Sequence, residues 1–297
     1  MEPTEAISVS AVMPSESHAR LWESIIVDAS IKERLVRSAV LGLRLREKLP
    51  FEVTALHGLL VLHGPPGTGK TTLARGLPNE LAPLMLSKHA RLIEVNPHGL
   101  MSAEHGQSQR KVTELFGDVI PSLVDDGMPS VVLLDEVESM AVARSEASLA
   151  ANPADVHRAT DAVLAALDAN ASGLPNVITV ATSNFTRALD MAFLSRADVS
   201  IELPLPNADA AIAILTSVLL GMATSFPRLA DLAKEPALRK IASRLSGVDG
   251  RRIRKIVTEA MLERIETVLD PGELTIDDLL RTTLPCSGNG NSKTAGN

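Results

Sequence analysis

Aromatic residues are scarce at 2% of the 297 positions and tyrosine is absent, so the interior must be built from Leu, Val, Ile and Ala. The single Cys286 excludes an internal disulfide and any zinc site made of cysteines. Seven histidines are scattered, none at a ligand-like spacing from another histidine or the cysteine. No apolar run approaches the ~18 residues that a membrane span needs. The opening MEPTEAISVS lacks the basic-then-apolar order of a secretion signal. Both absences lead us to expect a cytoplasmic protein with no membrane partner. Positive charge is in deficit, with 29 Lys and Arg against 36 Asp and Glu. That balance argues against affinity drawn from phosphate backbones, although an acidic ring can carry a basic pore.

What is present is ordinary globular composition, 45% apolar and 22% charged, in a chain with room for about two domains. Residues 1–18 are small, polar and proline-bearing, and read as a flexible lead-in. Helical spacing of Ile31, Leu35, Ala39 and Leu43 predicts one amphipathic helix across residues 21–48. Five short apolar runs follow, at Leu59–His63, 92–96, 131–134, 177–182 and 199–203, separated by helical stretches. Runs of this kind are parallel strands buried on both faces, so the expected fold is a three-layer α/β sandwich on a five-stranded parallel sheet. It occupies residues 19–205. Beyond the break at Pro204 to Asn207, residues 206–284 read as a small domain of three or four helices, including 210–220 and 251–269. A tail at 285–297, rich in Gly, Asn and Ser, is expected to be disordered.

The strongest local signal is Gly64-Pro65-Pro66-Gly67-Thr68-Gly69-Lys70-Thr71, a GxxxxGK[ST] phosphate loop set between a strand and a helix, with Thr72 counted among its nucleotide-binding residues. Glycines let backbone N–H groups turn toward phosphate, and the helix that follows offers its N-terminus to the anion. Lys70 adds charge at the phosphates, and the Thr71 hydroxyl can ligate Mg²⁺. Gly76 and Pro78 predict that this helix is short or kinked. The strand 131–134 ends in Asp135 and Glu136. Asp135 is suited to hold Mg²⁺, and Glu136 to deprotonate a water attacking the γ-phosphate of ATP. Asn184, at the tip of the next strand, is placed to touch both water and phosphate; alternatively it caps a helix starting near Thr186. Arg196 is either a residue that reaches a neighbour's γ-phosphate or a surface ion pair with Asp198. Gly250-Arg251-Arg252-Ile253-Arg254-Lys255 opens a helix whose charges suit either nucleotide sensing or a solvated face.

In this order the elements resemble the AAA+ ATPases. The runs from Leu62 to Thr71, Leu134-Asp135-Glu136-Val137-Glu138-Ser139, Thr182-Ser183-Asn184, Asp190, Ala192-Phe193 and Arg196-Ala197-Asp198 resemble one family in particular. It is the pachytene-checkpoint family, also called thyroid-receptor-interactor thirteen, which remodels HORMA-domain proteins. Leu21-Trp22-Glu23-Ser24 and residues 250–255 fit it too, so the resemblance covers roughly residues 20–270. It implies a ring homohexamer with ATP and Mg²⁺ between subunits. Arg196 would then act in trans, Arg251 would sense nucleotide from the same subunit's lid, and Val27 and Asp28 would lie near the adenine. It also implies a HORMA-domain client, opened by partial unfolding.

Two departures from the family stand out. Only about 20 residues precede Leu21 where eukaryotic members carry an adaptor-binding domain, so the chain resembles short bacterial members. Those accompany a HORMA protein and a nucleotidyltransferase making cyclic oligonucleotides in antiphage defence. Secondly, Glu104-His105 stand where relatives place bulky aromatics in the central pore loop. Leu100 and Met101 are expected to share the grip on substrate, unless the loop makes no substrate contact. A DNA-directed motor or clamp loader, and a nucleotide-gated scaffold, are the alternative functions. The first is disfavoured by the lack of Lys or Arg between Asn96 and Gln109, and the second by the complete catalytic set.

Overall fold

In the computed structural model the described residues are 6–96, 100, 107–141, 154–185 and 189–283. The chain divides into two compact units, Met1–Pro204 and Leu205–Asn297.

The first unit is built on a six-stranded sheet of order β1-β3-β4-β5-β2-β6. Its strands are β1 (Ile7–Met13), β2 (Leu59–His63), β3 (Ala90–Val95), β4 (Ser130–Leu134), β5 (Val177–Ser183) and β6 (Val199–Glu202). The five expected strands are present and mutually parallel. A sixth, β1, pairs antiparallel with β3 inside the stretch read as a flexible lead-in. Its alternation explains the oversight. Val9, Ala11 and Met13 turn to one core while Ser8, Ser10 and Val12 face out, and Ile7, across a register shift, packs against the other core, so this edge strand shows no continuous apolar run.

Helices α1 (Glu16–Ser24), α2 (Ala29–Lys48), α3 (Lys70–Leu81), α4 (Gln107–Glu114) and α5 (Ala154–Gly173) cover the sheet. Strand side chains alternate between two cores. Leu60, Leu62, Leu133 and Val180 pack with Leu35 and Leu77, whereas Val61, Ile93, Val132 and Leu134 pack with Phe116 and Val163. The single helix expected over 21–48 is in fact two, broken at 25–28, with Asp28 capping α2 by accepting from the Ser30 N–H at 2.8 Å.

Nor is α3 short. It runs twelve residues through Pro78. The proline forgoes one helical hydrogen bond near the C-terminal end, where buried Leu77 and Leu81 hold the helix to the sheet. Gly76 has a packing reason, since a Cβ there would stand 2.8 Å from Cβ of Trp22.

The second unit is helical, with α6 (Ala208–Ala223), α7 (Leu238–Arg244), α8 (Gly250–Ala260) and α9 (Ile276–Thr282) joined by shorter turns. The helix expected over 251–269 breaks after Ala260 into a 3₁₀ turn, Met261–Glu263, and a short helix, Ile265–Leu269. Leu215, Ile241, Ile253, Val257 and Leu279 form its fully buried interior. One carboxylate organises its C-terminal part. The buried Asp278 closes a capping box with Thr275 and receives Nε and Nη2 of Arg264, each at 3.0 Å. Burial alone would raise its pKa, but the hydrogen bonds from Arg264 and Thr275 outweigh that and hold the carboxyl below the usual carboxylate range.

A group whose folded pKa is depressed stabilises the fold above its unfolded pKa, and the contribution is lost as pH falls. Asp278→Ala is therefore expected to cost this unit about 2 kcal/mol near neutrality, the scale of losing hydrogen bonds to a charged group, because the capping box and the Arg264 contacts go with the carboxylate. The gap from the parent should narrow progressively below about pH 5. Native-state hydrogen exchange across 264–283 at several pH values measures both.

Candidate functional site

The site gathers where three adjacent parallel strands, β4, β5 and β2, end on the same edge of the sheet. β2 delivers His63 to the phosphate loop, which leads into the N-terminus of α3. Gly64, Gly67 and Gly69 all have positive φ, at 140°, 77° and 96°. Two of them are also sterically required. A Cβ on Gly64 would lie 2.3 Å from the Leu203 carbonyl oxygen, and one on Gly69 would lie 2.6 Å from the Ile25 side chain. Ile25 belongs to the break between α1 and α2, so that break packs against the loop. Val27 and Asp28 stand in the same break, and the described contact of Asp28 is its cap on α2. The loop is further tightened by Thr68 Oγ1 donating to the Pro65 carbonyl at 2.9 Å. Lys70 is buried, its Nζ donating to the Gly64 and Pro65 carbonyls at 2.8 Å each.

Thr71, at the start of α3, donates its hydroxyl to Oδ1 of Asp135 at 2.6 Å. A hydroxyl and a carboxylate brought together in this way are hard oxygen donors of the kind Mg²⁺ takes. The next residue, Glu136, is exposed and sits at φ 50°, ψ 51°, a left-handed conformation uncommon outside glycine. Its N–H donates to Oγ1 of Thr182 at 3.0 Å, and the same Thr182 hydroxyl donates to Oδ1 of Asp135 at 2.5 Å. Asn184 is half-buried one step beyond β5, and its backbone N–H donates to Oε1 of Glu138 at 3.1 Å. Residues 186–188, where the helix that Asn184 would alternatively cap was expected to begin, lie outside the described residues.

Arg196 is ion-paired, but the partner is Asp168 and not Asp198. Nε and Nη2 of Arg196 meet the two Asp168 oxygens at 2.6 and 2.7 Å, and Nη1 donates to the Ala192 carbonyl at 2.8 Å. The Arg196 hydrogen bonds hold the Asp168 carboxyl below its ordinary pKa despite partial burial. Asp198 instead accepts the backbone N–H groups of His57 and Gly58, each at 2.8 Å, ahead of β2. In the second unit Arg251 is exposed on the first turn of α8, which Asp249 caps.

Of the four residues assigned to the pore loop, only Leu100 is among the described residues. Leu100 is fully buried in the core beside Val95 and Val112, so it is packing and not a surface grip. Met101, Glu104 and His105 lie outside the described residues.

Sequence reasoning missed Thr182, Glu138 and Asp168. The first two stand inside the quoted runs, where the tip residue and the paired acids drew the assignment. Asp168 is 28 residues from Arg196 in the C-terminal half of α5, and no local pattern marks it.

Comparison with known proteins gives the setting. Residues 60–205 match the model of the ATPase family associated with various cellular activities, AAA. The chain is 45% identical over 267 residues to CD-NTase-associated protein 6 of Pseudomonas aeruginosa, covering 90% of this chain and 88% of that protein. It is 38% identical to the pachytene checkpoint protein 2 homolog of Arabidopsis thaliana, covering 69% of this chain and 44% of the plant protein. The fold matches a chain in the structure of an E. coli MS115-1 HORMA:CdnC:Trip13 complex with a TM-score of 0.75 at 17% identity, covering 95% of this chain and 96% of that one.

The contacts at Gly64 make a direct test of the loop. Gly64→Ala should shift the Leu203 backbone, destabilise the protein by about 2 kcal/mol and weaken ATP binding at least about tenfold. Gly173→Ala, where a Cβ meets nothing within 4 Å, should leave both within error. Thermal melts and titration with a fluorescent ATP analogue compare the pair.

Proposed function

We propose a function from one premise: the chain belongs to the AAA ATPase family, in the group that holds CD-NTase-associated protein 6 and the pachytene checkpoint protein 2 homologues. It hydrolyses ATP to ADP and phosphate and spends that energy on remodelling a HORMA-domain protein. The work belongs to bacterial cyclic-oligonucleotide antiphage signalling, with a nucleotidyltransferase as the further partner. The observation that carries the catalytic half is the meeting of Thr71, Asp135 and Thr182 at one carboxylate oxygen, with Glu136 next in the chain. The client half is supported by the near full-length match to CD-NTase-associated protein 6, and the HORMA:CdnC:Trip13 structure shares this fold.

The chemistry follows from what each group can do. The phosphate loop's backbone N–H groups and the first turn of α3 bind the β- and γ-phosphates, and Lys70 exchanges its two carbonyl partners for phosphate oxygens. Thr71 and Asp135 would hold Mg²⁺, which when bound supplies charge neutralisation on the phosphates. Glu136 is exposed and carries no backbone duty through its side chain, so it is free to take the proton from the attacking water. Asn184 orients that water. Arg196 reaches the γ-phosphate of a neighbouring subunit in a homohexamer, where its charge stabilises the transition state. Val27 and Asp28 flank the base, and Arg251 reads nucleotide state from the helical unit. No helix among the described residues is long and apolar enough to cross a membrane. The proposed site of this work is the cytoplasm, where ATP is available.

The test is a substrate trap. Glu136→Gln should bind ATP as the parent does and lose at least about a hundredfold in turnover, the scale of a missing general base. Purified from its host in ATP, the variant should retain a HORMA-fold protein that Lys70→Ala does not. Wild-type turnover by Glu136→Gln would refute the base assignment. DNA or replication proteins in the trap would replace the client by a DNA-directed task.

A further inference from the structure

The turn that follows β4 carries the base, and the turn that follows β5 carries the sensor. Each of these two turns holds the other's backbone through a side chain. From β5, the Thr182 hydroxyl accepts the Glu136 N–H at 3.0 Å. From the β4 side, Oε1 of Glu138 accepts the Asn184 N–H at 3.1 Å. Thr182 is 1% exposed, and its single hydroxyl donates to Asp135 Oδ1 at 2.5 Å. One hydroxyl therefore joins the metal-side carboxylate to the peptide of the base.

Glu136 needs such a hold. Its left-handed φ of 50° is not a resting state for a residue with a Cβ, and relaxation of that peptide would swing the side chain away from the strand edge. The Thr182 acceptor fixes the N–H side of the residue, and Ser139 fixes the other, its N–H and hydroxyl both donating to the Glu136 carbonyl at 3.0 Å. The strand pairing makes the bridge possible: Leu134 sits opposite Ala181, so Thr182 emerges opposite Asp135, and Leu62 flanks it from β2.

We propose that Thr182 and Glu138 are positioning residues that form a reciprocal clamp, locking the Glu136 and Asn184 turns into one unit so that base and sensor keep a fixed separation. The proposal rests on the assignment of Glu136 as the base. Neither side chain need touch substrate. Thr182 acts on the peptide of Glu136 and on Asp135, and Glu138 acts on the peptide of Asn184. The clamp's effect falls on the rate of the chemical step and not on nucleotide affinity, because the phosphate loop makes its own contacts through α3.

The experiment compares Thr182→Val, which keeps the shape and removes the hydroxyl, with Thr182→Ser, which keeps the hydroxyl. Glu138→Ala is compared with Glu138→Gln, which keeps an oxygen for the Asn184 N–H. Thr182→Val and Glu138→Ala should each lower kcat at least about tenfold with KM for ATP within about threefold, the signature of a misplaced catalytic group. The Ser and Gln variants should recover most of the loss. Equal losses in kcat and affinity, or no rescue by Ser and Gln, would mark both residues as merely structural and overturn the clamp. Should Thr182→Val fail to fold, the Glu138 pair decides the question by the same criteria. Glu136→Gln run alongside separates the two levels. If it is inactive while Thr182→Val and Glu138→Ala keep wild-type kcat, the clamp falls and the base assignment stands. If Glu136→Gln hydrolyses at the wild-type rate, the base assignment falls, and the clamp on it falls too.

Discussion

Oδ1 of Asp135 accepts two hydroxyls, Thr71 at 2.6 Å and Thr182 at 2.5 Å, and in doing so fastens together the ends of three strands. Thr71 comes from the helix that β2 launches, Thr182 from β5, and Asp135 from β4, with β5 lying between the other two. Strand order alone makes this convergence possible. Parallel strands place all their C-terminal ends on one edge, where side chains that continue past the last ladder bond are freed from sheet pairing and can face one another. A one-residue slip of β5 against β4 would turn Thr182 to the opposite face, leaving the Glu136 N–H without its partner and Asp135 with Thr71 alone of its two hydroxyls. Register is protected by burial, since Val177, Ile178, Val180 and Ala181 are all in the two cores.

Around this point the loop is confined by close contacts more than by bonds. Gly64 lies against the Leu203 carbonyl, just after β6, and Gly69 lies under Ile25. Ile25 is there because the chain leaves α1 after Trp22 has packed over Gly76 of α3. The N-terminal stretch thus shapes the site indirectly. β1 extends the sheet beyond β3, α1 seats on α3, and the break that follows reaches the phosphate loop. Arg75 of α3 adds a further tie by gripping the buried Glu94 of β3, with Nε to Oε2 at 2.8 Å. That hydrogen bond is also the main reason the Arg75 pKa is raised.

Much of this was legible in the residues, and the reasons are specific. The five parallel strands announce themselves as unbroken apolar runs because both faces are buried, and the phosphate loop because only glycine tolerates its backbone angles and contacts. β1 hid in small alternating residues that pass for a flexible lead-in. The α1–α2 break hid because apolar spacing continues across it, and only Asp28 as a cap marks the start of the second helix. Leu100 was taken for a surface grip because spacing from a motif carries no information on burial, and the fold uses it as core. Partners far apart in sequence left no trace at all. Arg196 with Asp168 and Asp198 with His57 exist only once α5 and β2 are brought alongside the segment between β5 and β6.

The Arg196 pair bears on how a shared site would work. A bidentate contact with Asp168, about half exposed, is worth little as stability, since solvent screens such pairs to about 1 kcal/mol or less. Its value lies in geometry. Two parallel bonds fix the plane of the guanidinium and leave Nη1 on the Ala192 carbonyl, so the arginine is held at one orientation instead of sampling many. A charge presented across a subunit boundary must either keep this bracket and offer a free edge, or exchange Asp168 for phosphate. The second course exchanges one charge-assisted pair for another. That exchange is nearly balanced in water and becomes favourable only where solvent is excluded and the phosphate bears developing charge. Under the proposed trans role, an arginine parked on a weak, solvated carboxylate is suited to respond to assembly, because the contact that holds it ready is also one that it can give up at small cost.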